Sequence, residues 1–140
     1  MLDANTSQVK VGKELFTCSG PQVIEKLTAK GFDVFLDLKY HDIPNTVAKA
    51  CQVAADLGVW MINVHTLGGQ DMMIAAREAI SNKSQRPLLI GVTLLTSMTE
   101  ETFQKIGLVG TIESVVIKLA DLAHKSGLDG VVCSPLETKL

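Results

Sequence analysis

Three charged residues stand where a buried sheet would carry apolar side chains, and a fourth lies just past the end of a predicted strand. Asp37 and Lys39 lie two positions apart in an apolar stretch, Lys10 lies between two valines, and Asp42 follows Lys39 by three residues. Alternate residues of a strand share a face, so Asp37 and Lys39 are predicted to project together, roughly 7 Å apart at about 3.3 Å per residue. Carboxylates that hold a lysine protonated in a dry pocket create a fixed cation and a positioned acid. The pattern predicts electrostatic or acid catalysis, although a stabilising ion pair, and for Asp42 an acid at the start of a helix beginning near Pro44, also fit.

These residues lie in a repeating pattern of strands and helices. Short β-branched apolar runs predict strands within residues 8–16 and over 33–39, 59–65, 87–95 and 129–134. Apolar residues three and four apart predict helices over 22–30, 46–57, 71–80 and 112–125. Strand starts recur roughly every 25 to 35 residues, which is the spacing of a βαβ unit. The repeat predicts a parallel sheet with outer helices, with the charged residues at the carboxyl ends of strands, where parallel-sheet enzymes place their sites.

The number of units limits the architecture. Repeated βα units form either a doubly wound sheet or a closed barrel. The 140 residues hold about five units, whereas a closed eight-unit barrel typically needs about 250 residues. The predicted fold class is α/β, a partial TIM-type (β/α)8 barrel with about five of its eight parallel βα units, as one incomplete domain over residues 1–140. Five strands leave two sheet edges open, which favours association.

Composition excludes several classes of protein. Apolar residues make up 46% of the chain, and 13 Lys and Arg against 15 Asp and Glu give a net charge of −2 without a basic tract. This balance argues against a nucleic-acid groove and an electrostatic membrane anchor. Three widely spaced cysteines fit free thiols in a reducing cytosol better than disulfides or a metal site. We therefore expect a cytoplasmic protein with no bound metal and no nucleic-acid or membrane partner.

One motif resembles a known family. Residues 35–46 have the sequence FLDLKYHDIPNT, which contains D-x-K-x-x-D-I-P-x-T and resembles the signature of orotidine 5′-monophosphate decarboxylases. The resemblance continues in order through VKVG at 9–12, WMINVH at 60–65, GG at 68–69, LLTS at 94–97 and GLDGVVCS at 127–134. Sugar-phosphate enzymes of the same superfamily share D-x-K-x-x-D alone, so the longer motif carries the specificity.

The resemblance implies a fold, a reaction and an assembly. Members of the family are eight-stranded barrels that dimerise with active sites shared at the interface. They are lyases that convert orotidine 5′-monophosphate to uridine 5′-monophosphate and carbon dioxide, the last step of de novo pyrimidine synthesis, without a cofactor. A small nucleotide substrate and a homodimer are therefore the expected partners.

The resemblance also assigns roles to the charged residues. Lys39 would be the general acid that protonates C6 of the pyrimidine, and Asp37 would lie beside the departing carboxylate. Lys10 would hold the charged array and bind near the ribose. Asp42 would reach across the dimer into the partner's site. These four residues are the expected catalytic set, and Lys10 and Asp37 would also bind substrate.

Three further residues are expected to contact substrate. Thr46 would cross the dimer interface with Asp42, and Thr96 and Ser97 would border the pyrimidine ring. The family's ribose-binding aspartate and the glutamine and glycine-arginine pair that grip the phosphate have no match in these motifs. The chain as printed is therefore expected to lack the phosphate grip.

Two other functions remain open from the sequence. A Mg²⁺-dependent sugar-phosphate decarboxylase or aldolase of the same superfamily shares the core motif, although residues around Lys10, 43–46 and 95–97 disfavour it. A half-barrel fragment without enzymatic activity, which associates through its open edges, fits the length. Sensitivity to a chelator would identify the first alternative, and association without turnover would identify the second.

Overall fold

Strands and helices alternate along the chain. The computed structural model describes residues 2–137. The strands are β1 (Val9–Gly12), β2 (Val34–Tyr40), β3 (Met61–His65), β4 (Leu88–Val92) and β5 (Gly130–Val132). The helices are α1 (Lys13–Ser19), α2 (Gln22–Thr28), α3 (Pro44–Asp56), α4 (Gln70–Ser81), α5 (Glu100–Lys105) and α6 (Ile112–Lys125), with 3₁₀ turns at Thr66–Gly68 and Pro135–Glu137. None of the helices within residues 2–137 is long and apolar enough to cross a membrane.

The five strands form one parallel sheet. They follow the order β1-β2-β3-β4-β5, so each strand pairs with the next one along the chain. A doubly wound sheet reverses its strand order at a switch point, whereas a barrel adds strands in sequence. The sheet is therefore an arc of a β/α barrel, and the predicted α/β class with five parallel units is confirmed.

Three elements differ from the sequence-based expectation, the first being β4, which ends at Val92 and not at residue 95. The alternating segment within residues 8–16 is a strand only to Gly12, and α1 begins at Lys13. The alternation of apolar and polar residues ends there, because Leu15 and Phe16 are adjacent apolar residues and follow two good helix formers, Lys13 and Glu14. Helix α5 was not predicted, since its six residues are too few to establish a helical period. Its start is fixed by Thr99, whose hydroxyl accepts the backbone N–H of Thr102 at 3.2 Å.

The main core lies between the sheet and its helices. Leu36, Ile62 and Leu89 are fully buried on three adjacent strands. From the helices, Val47 on α3 and Met72 on α4 are also fully buried in this core. Burial of such side chains contributes about 1.5–3 kcal/mol each before the entropy cost is counted. The central strands that end at the charged residues therefore pack against a well-buried apolar core.

A salt-bridge cluster fixes the amino-terminal end of the sheet. Arg86 donates to both carboxylate oxygens of Asp129, at 2.7 and 3.0 Å, and the backbone N–H of Leu89 donates to Oδ2 at 2.8 Å. Arg77 lies 3.9 Å from the same oxygen. Burial would raise the pKa of Asp129, but the Arg86 and Leu89 hydrogen bonds and the charges of Arg86 and Arg77 lower it below 3.8. At this end of a β/α barrel such contacts serve stability.

Candidate active site

The carboxyl end of β2 departs from regular strand geometry. Pairing with β3 joins Leu36 to Ile62 and resumes only at Tyr40 with Val64. Between these pairs, Lys39 has a φ of 52°, in the left-handed region. A residue other than glycine is uncommon there and costs roughly 1 kcal/mol or more. Strain of this kind is concentrated at functional sites, and it marks Lys39 as a candidate.

Three of the charged residues selected from the sequence meet at this point. The Lys39 ammonium donates to Asp37 Oδ1 at 2.5 Å, and Lys10 Nζ lies 3.3 Å from Asp37 Oδ2. The Asp37 side chain is only 13% exposed, against 27% for Lys39 and 56% for Lys10. Gly12 is the register neighbour of Asp37, and a Cβ there would lie 3.1 Å from Lys10 Nζ. Because Gly12 has no side chain, the Lys10 ammonium can lie next to it without a steric clash.

The surroundings of Asp37 keep its carboxyl ionised. Burial would raise the pKa of Asp37 above 3.8. Hydrogen bonds from Lys39 and Asn63, the charge of Lys39 and a hydrogen bond from Lys10 outweigh burial, and the pKa is lowered. A carboxylate that stays ionised holds both ammonium groups in place.

Asn63 is part of this cluster and was missed by the sequence analysis. It lies on β3 and is 1% exposed. Its Nδ2 donates to Asp37 Oδ1 at 2.7 Å, and its Oδ1 accepts the backbone N–H of Lys39 at 2.7 Å. A single amide side chain in the otherwise apolar run of residues 61–64 is the signal that could have identified it, because buried polar groups need partners.

A cavity of about 680 Å³ opens beside the cluster. Its volume is within the range of small-molecule sites. The cavity is lined by Lys10, Gly12, Lys13, Glu14, Leu15, Cys18, Asp37 and Lys39. Because three of these residues are lysines and two carry carboxylates, the lining has a positive formal charge. In residues 2–137, His, Cys, Asp and Glu side chains form no group of three or more placed to hold a metal ion. The cavity suits an anionic organic ligand.

The other predicted site residues lie outside this cluster. Asp42 follows β2 on the surface, where its Oδ1 accepts the N–H of Ile43 at 2.7 Å. Among the ion pairs of residues 2–137, none joins Asp42 to a lysine. Thr46 is exposed in the first turn of α3, and Thr96 and Ser97 are exposed in the loop after β4. None of these four residues lines the cavity.

His65 ends β3 close to the charged cluster. Its ring centroid lies 5.4 Å from that of His41, and its Nδ1 is buried without a hydrogen-bond partner among the described residues. Burial lowers the pKa of His65 below 6.5, and the charges of His41, Lys13 and Lys39 lower it further. At neutral pH the imidazole is therefore uncharged and adds no positive charge beside the lysines.

These pKa shifts predict that acid destabilises the fold in two ranges of pH. The pKa of His65 is lowered from 6.5, and those of Asp37 and Asp129 from 3.8. In each case the unfolded chain binds more protons than the folded one between the two pKa values, so stability is lost as pH falls. The free energy of unfolding is expected to decrease below about pH 6.5 through His65 and again below about pH 4 through the carboxylates. Urea unfolding from pH 8 to pH 3 measures both steps.

Replacement of His65 by glutamine is the matched variant for this prediction. It should remove the loss of stability that begins below about pH 6.5 and leave the loss that begins below about pH 4 unchanged. Replacement of the exposed His124 by glutamine is the control. An unfolding free energy that stays constant from pH 7 to pH 5 in the unmodified chain would contradict the part assigned to His65.

The fold and the cluster together define a β/α-barrel protein of the kind that carries its active site at the carboxyl ends of its strands. Comparison with known proteins then identifies the family. The model of the orotidine 5′-phosphate decarboxylase / HUMPS family matches residues 2–140, and the chain belongs to this family. The resemblance found in the sequence is thereby confirmed.

Individual relatives agree with this assignment. The chain is 62% identical over 136 residues to an orotidine 5′-phosphate decarboxylase of Hydrogenovibrio crunogenus. The aligned residues cover 97% of this chain and 58% of the relative. For the same enzyme of Laribacter hongkongensis the identity is 62%, over 97% of this chain and 56% of the relative. The chain thus spans little more than half the length of these curated relatives.

Solved structures support the fold. The crystal structure of orotidine 5′-phosphate decarboxylase from Lactobacillus acidophilus superposes with a TM-score of 0.92 at 41% identity, covering 98% of this chain and 63% of that one. An uncharacterized conserved protein from Geobacillus kaustophilus gives a TM-score of 0.91 at 41% identity, covering 96% and 66%. The five βα units therefore have the arrangement found in larger barrels.

Proposed function

We propose that this chain carries the catalytic lysines of a cofactor-independent orotidine 5′-monophosphate decarboxylase, which forms uridine 5′-monophosphate in pyrimidine synthesis. The observation that carries the proposal is the Lys39 ammonium held at 2.5 Å from the Asp37 carboxylate. Its support is the 62% identity to proteins that bear the decarboxylase name. The activity belongs to a barrel of which residues 1–140 are one incomplete domain.

The chemistry follows from the positions of the charges. As the bond to the carboxylate breaks and carbon dioxide leaves, the electron pair stays on an sp² ring carbon. A fixed ammonium beside that carbon stabilises the developing charge. Lys39 then transfers a proton to the carbon and regains one from solvent. The ionised Asp37 holds Lys39 in position and raises the energy of the substrate carboxylate next to it.

Substrate binding extends the site beyond the cluster. Lys10 would contact the ribose, and Thr96 and Ser97 would border the ring from the loop after β4. The positive cavity attracts an anionic nucleotide. Binding energy from a phosphate can offset the cost of placing two carboxylates close together.

The proposal includes a cytoplasmic homodimer with shared sites. Asp42 and Thr46 would enter the active site of the partner. This arrangement would explain why Asp42, although it belongs to the motif, makes no ion pair with Lys10 or Lys39 among the described residues. The surface beside Asp42 carries the exposed apolar side chains of Ile43 and Leu67. Exposed apolar surface next to a functional residue is typical of an interface.

Two other functions are tested beside this one. The family name couples the decarboxylase with HUMPS proteins, so a Mg²⁺-dependent sugar-phosphate decarboxylase or aldolase is the second candidate. The relatives that are 57–62% identical all bear the decarboxylase name, which favours the first. A half-barrel without activity is the third candidate, favoured by the place of β1 and β5 at the two edges of the sheet that residues 2–137 form.

One experiment separates the three. The purified chain is incubated with orotidine 5′-monophosphate or with a 3-keto-gulonate phosphate, each with a chelator or with added Mg²⁺, and the decarboxylated product is measured by chromatography. Turnover of orotidine 5′-monophosphate that is unaffected by the chelator supports the proposal. Turnover of the sugar phosphate that is lost with the chelator indicates the metal-dependent enzyme. Association in sedimentation equilibrium without any turnover indicates the half-barrel fragment and contradicts a catalytic role for this chain.

A further inference from the structure

We propose that Asn63 is a positioning residue whose amide group holds both the backbone of Lys39 and the carboxylate of Asp37 in the arrangement that the reaction needs. The functional meaning of this role rests on the function proposed above for Lys39 and Asp37. The positioning itself is a property of the free protein. It can be measured without substrate.

The amide of Asn63 is fixed by its two contacts. Its oxygen accepts the Lys39 N–H, and its nitrogen donates to Asp37 Oδ1, both at 2.7 Å. Exchange of the oxygen and nitrogen would set a donor against the N–H and an acceptor against the carboxylate. Both contacts would then be repulsive, so only one orientation is compatible with the neighbours. At 1% exposure water does not replace either contact cheaply.

The first contact explains how Lys39 keeps its left-handed conformation. The backbone ladder between β2 and β3 is interrupted between Leu36 and Tyr40. Within this gap the N–H of Lys39 donates to a side chain instead of to backbone. A strained backbone persists only when its surroundings fix it. The Asn63 carbonyl supplies that restraint at the residue where φ is 52°.

The second contact fixes the rotation of the Asp37 carboxylate. Oδ1 receives both the Asn63 amide and the Lys39 ammonium, while Oδ2 faces Lys10 at 3.3 Å. The amide thereby assigns one carboxylate oxygen to each lysine. Because the same residue also holds the Lys39 backbone, both ends of the Lys39–Asp37 pair are fixed to β3.

Two substitutions separate the contacts. Asn63→Leu keeps the number and branching of the side-chain heavy atoms and removes both hydrogen bonds. Asn63→Asp keeps an acceptor for the Lys39 N–H and replaces the donor to Asp37 by a second carboxylate oxygen. Thr66→Val is the matched control, because Thr66 is equally buried after β3 and its hydroxyl donates to the Val92 carbonyl at 2.9 Å, away from the cluster.

The readouts come from NMR on the full chain. They are the titration of the Asp37 carboxyl carbon, the φ-dependent coupling of Lys39 and the hydrogen exchange of its amide. In Asn63→Leu the pKa of Asp37 should be higher than in the unmodified chain, the coupling should change, and the Lys39 amide should exchange faster than its neighbours. In Asn63→Asp the coupling and the protection of that amide should be kept. Thr66→Val should change none of the three.

The outcomes distinguish positioning from general stability. If Asn63→Leu leaves the Asp37 titration and the Lys39 coupling unchanged, the proposal is wrong. Uniformly faster exchange over the whole sheet would also overturn it, since that reports stability alone. If Asn63→Leu does not fold, Asn63→Asp decides the question. Retained protection of the Lys39 amide in Asn63→Asp supports the proposal, and lost protection contradicts it. If the unmodified chain is active, kcat should fall about 10-fold or more in Asn63→Leu with little change in KM. If no form of the chain is active, the proposed function of this chain is contradicted, and the NMR measurements still decide whether Asn63 positions Lys39 and Asp37.

Discussion

Replacement of Lys39 by alanine is expected to reduce the proposed turnover of orotidine 5′-monophosphate by about 10³-fold or more, with little change in nucleotide binding. A positioned general acid contributes about 10²–10⁴-fold, and a fixed charge beside a developing anion contributes a comparable factor. Lys39 would supply both, because its ammonium lies against the ionised Asp37 at the end of β2. Both effects act in the transition state, so kcat decreases while KM changes little.

The measurement is steady-state kinetics of the unmodified chain and the variant, with circular dichroism to verify folding. Lys105→Ala is the matched control, since Lys105 is an exposed lysine that pairs with Glu101 on α5, outside the cavity lining. It should keep the full rate. A Lys39→Ala variant with a nearly normal rate would exclude Lys39 as the acid, and a loss confined to KM would indicate that Lys39 only binds the substrate.

Local sequence patterns predicted much of the fold and the centre of the site. Alternation around Asp37 and Lys39 predicts that they share one face of a strand, and the same argument places Lys10 on another strand, which the structure shows to be the neighbour of the first. The ends of α3 and α6 agreed within two residues. Gly58 and Gly127, with φ values of 72° and 77°, follow these helices closely and mark where they end.

The sequence could not predict what depends on contacts between distant residues. The left-handed conformation of Lys39 has no local cause, because neither Lys39 nor its neighbours prefer positive φ. It is coupled to Asn63, which is 24 residues away and whose role requires the register of β2 against β3. Whether Asp42 and Thr46 act in a partner's site likewise depends on a second chain, which no periodicity describes.

Helix α5 shows a second limit of sequence patterns and connects the fold to the loop that carries Thr96 and Ser97. Its six residues are too short for a periodic signal, yet Phe103 at its centre is fully buried. Phe103 belongs to a second apolar cluster, separate from the main core, with Leu94, Val115, Val116 and Leu119. The loop that carries Thr96 and Ser97 lies between Leu94 and α5, so this cluster anchors the loop at both ends.

Replacement of Phe103 by alanine is therefore expected to reduce the free energy of unfolding by about 3–5 kcal/mol, the range for removal of a buried aromatic ring. Urea unfolding measures the loss. The matched control is Ile106→Ala, because Ile106 follows α5 directly and is 56% exposed, so its truncation should cost about 0.5 kcal/mol or less. Equal losses in the two variants would show that the second cluster does not stabilise the fold.

The same substitution separates the two halves of the proposed site. Because the second cluster is distinct from the main core, Phe103→Ala should loosen the 93–99 loop while the Lys39–Asp37 pair keeps its place on β2. Hydrogen exchange should increase in α5 and this loop before it increases in β2 and β3. In an active protein KM for the nucleotide should then rise more than kcat falls, since Thr96 and Ser97 are proposed to bind substrate and Lys39 to carry out the chemistry. A decrease in kcat alone, with unchanged KM, would contradict the substrate-binding role proposed for this loop.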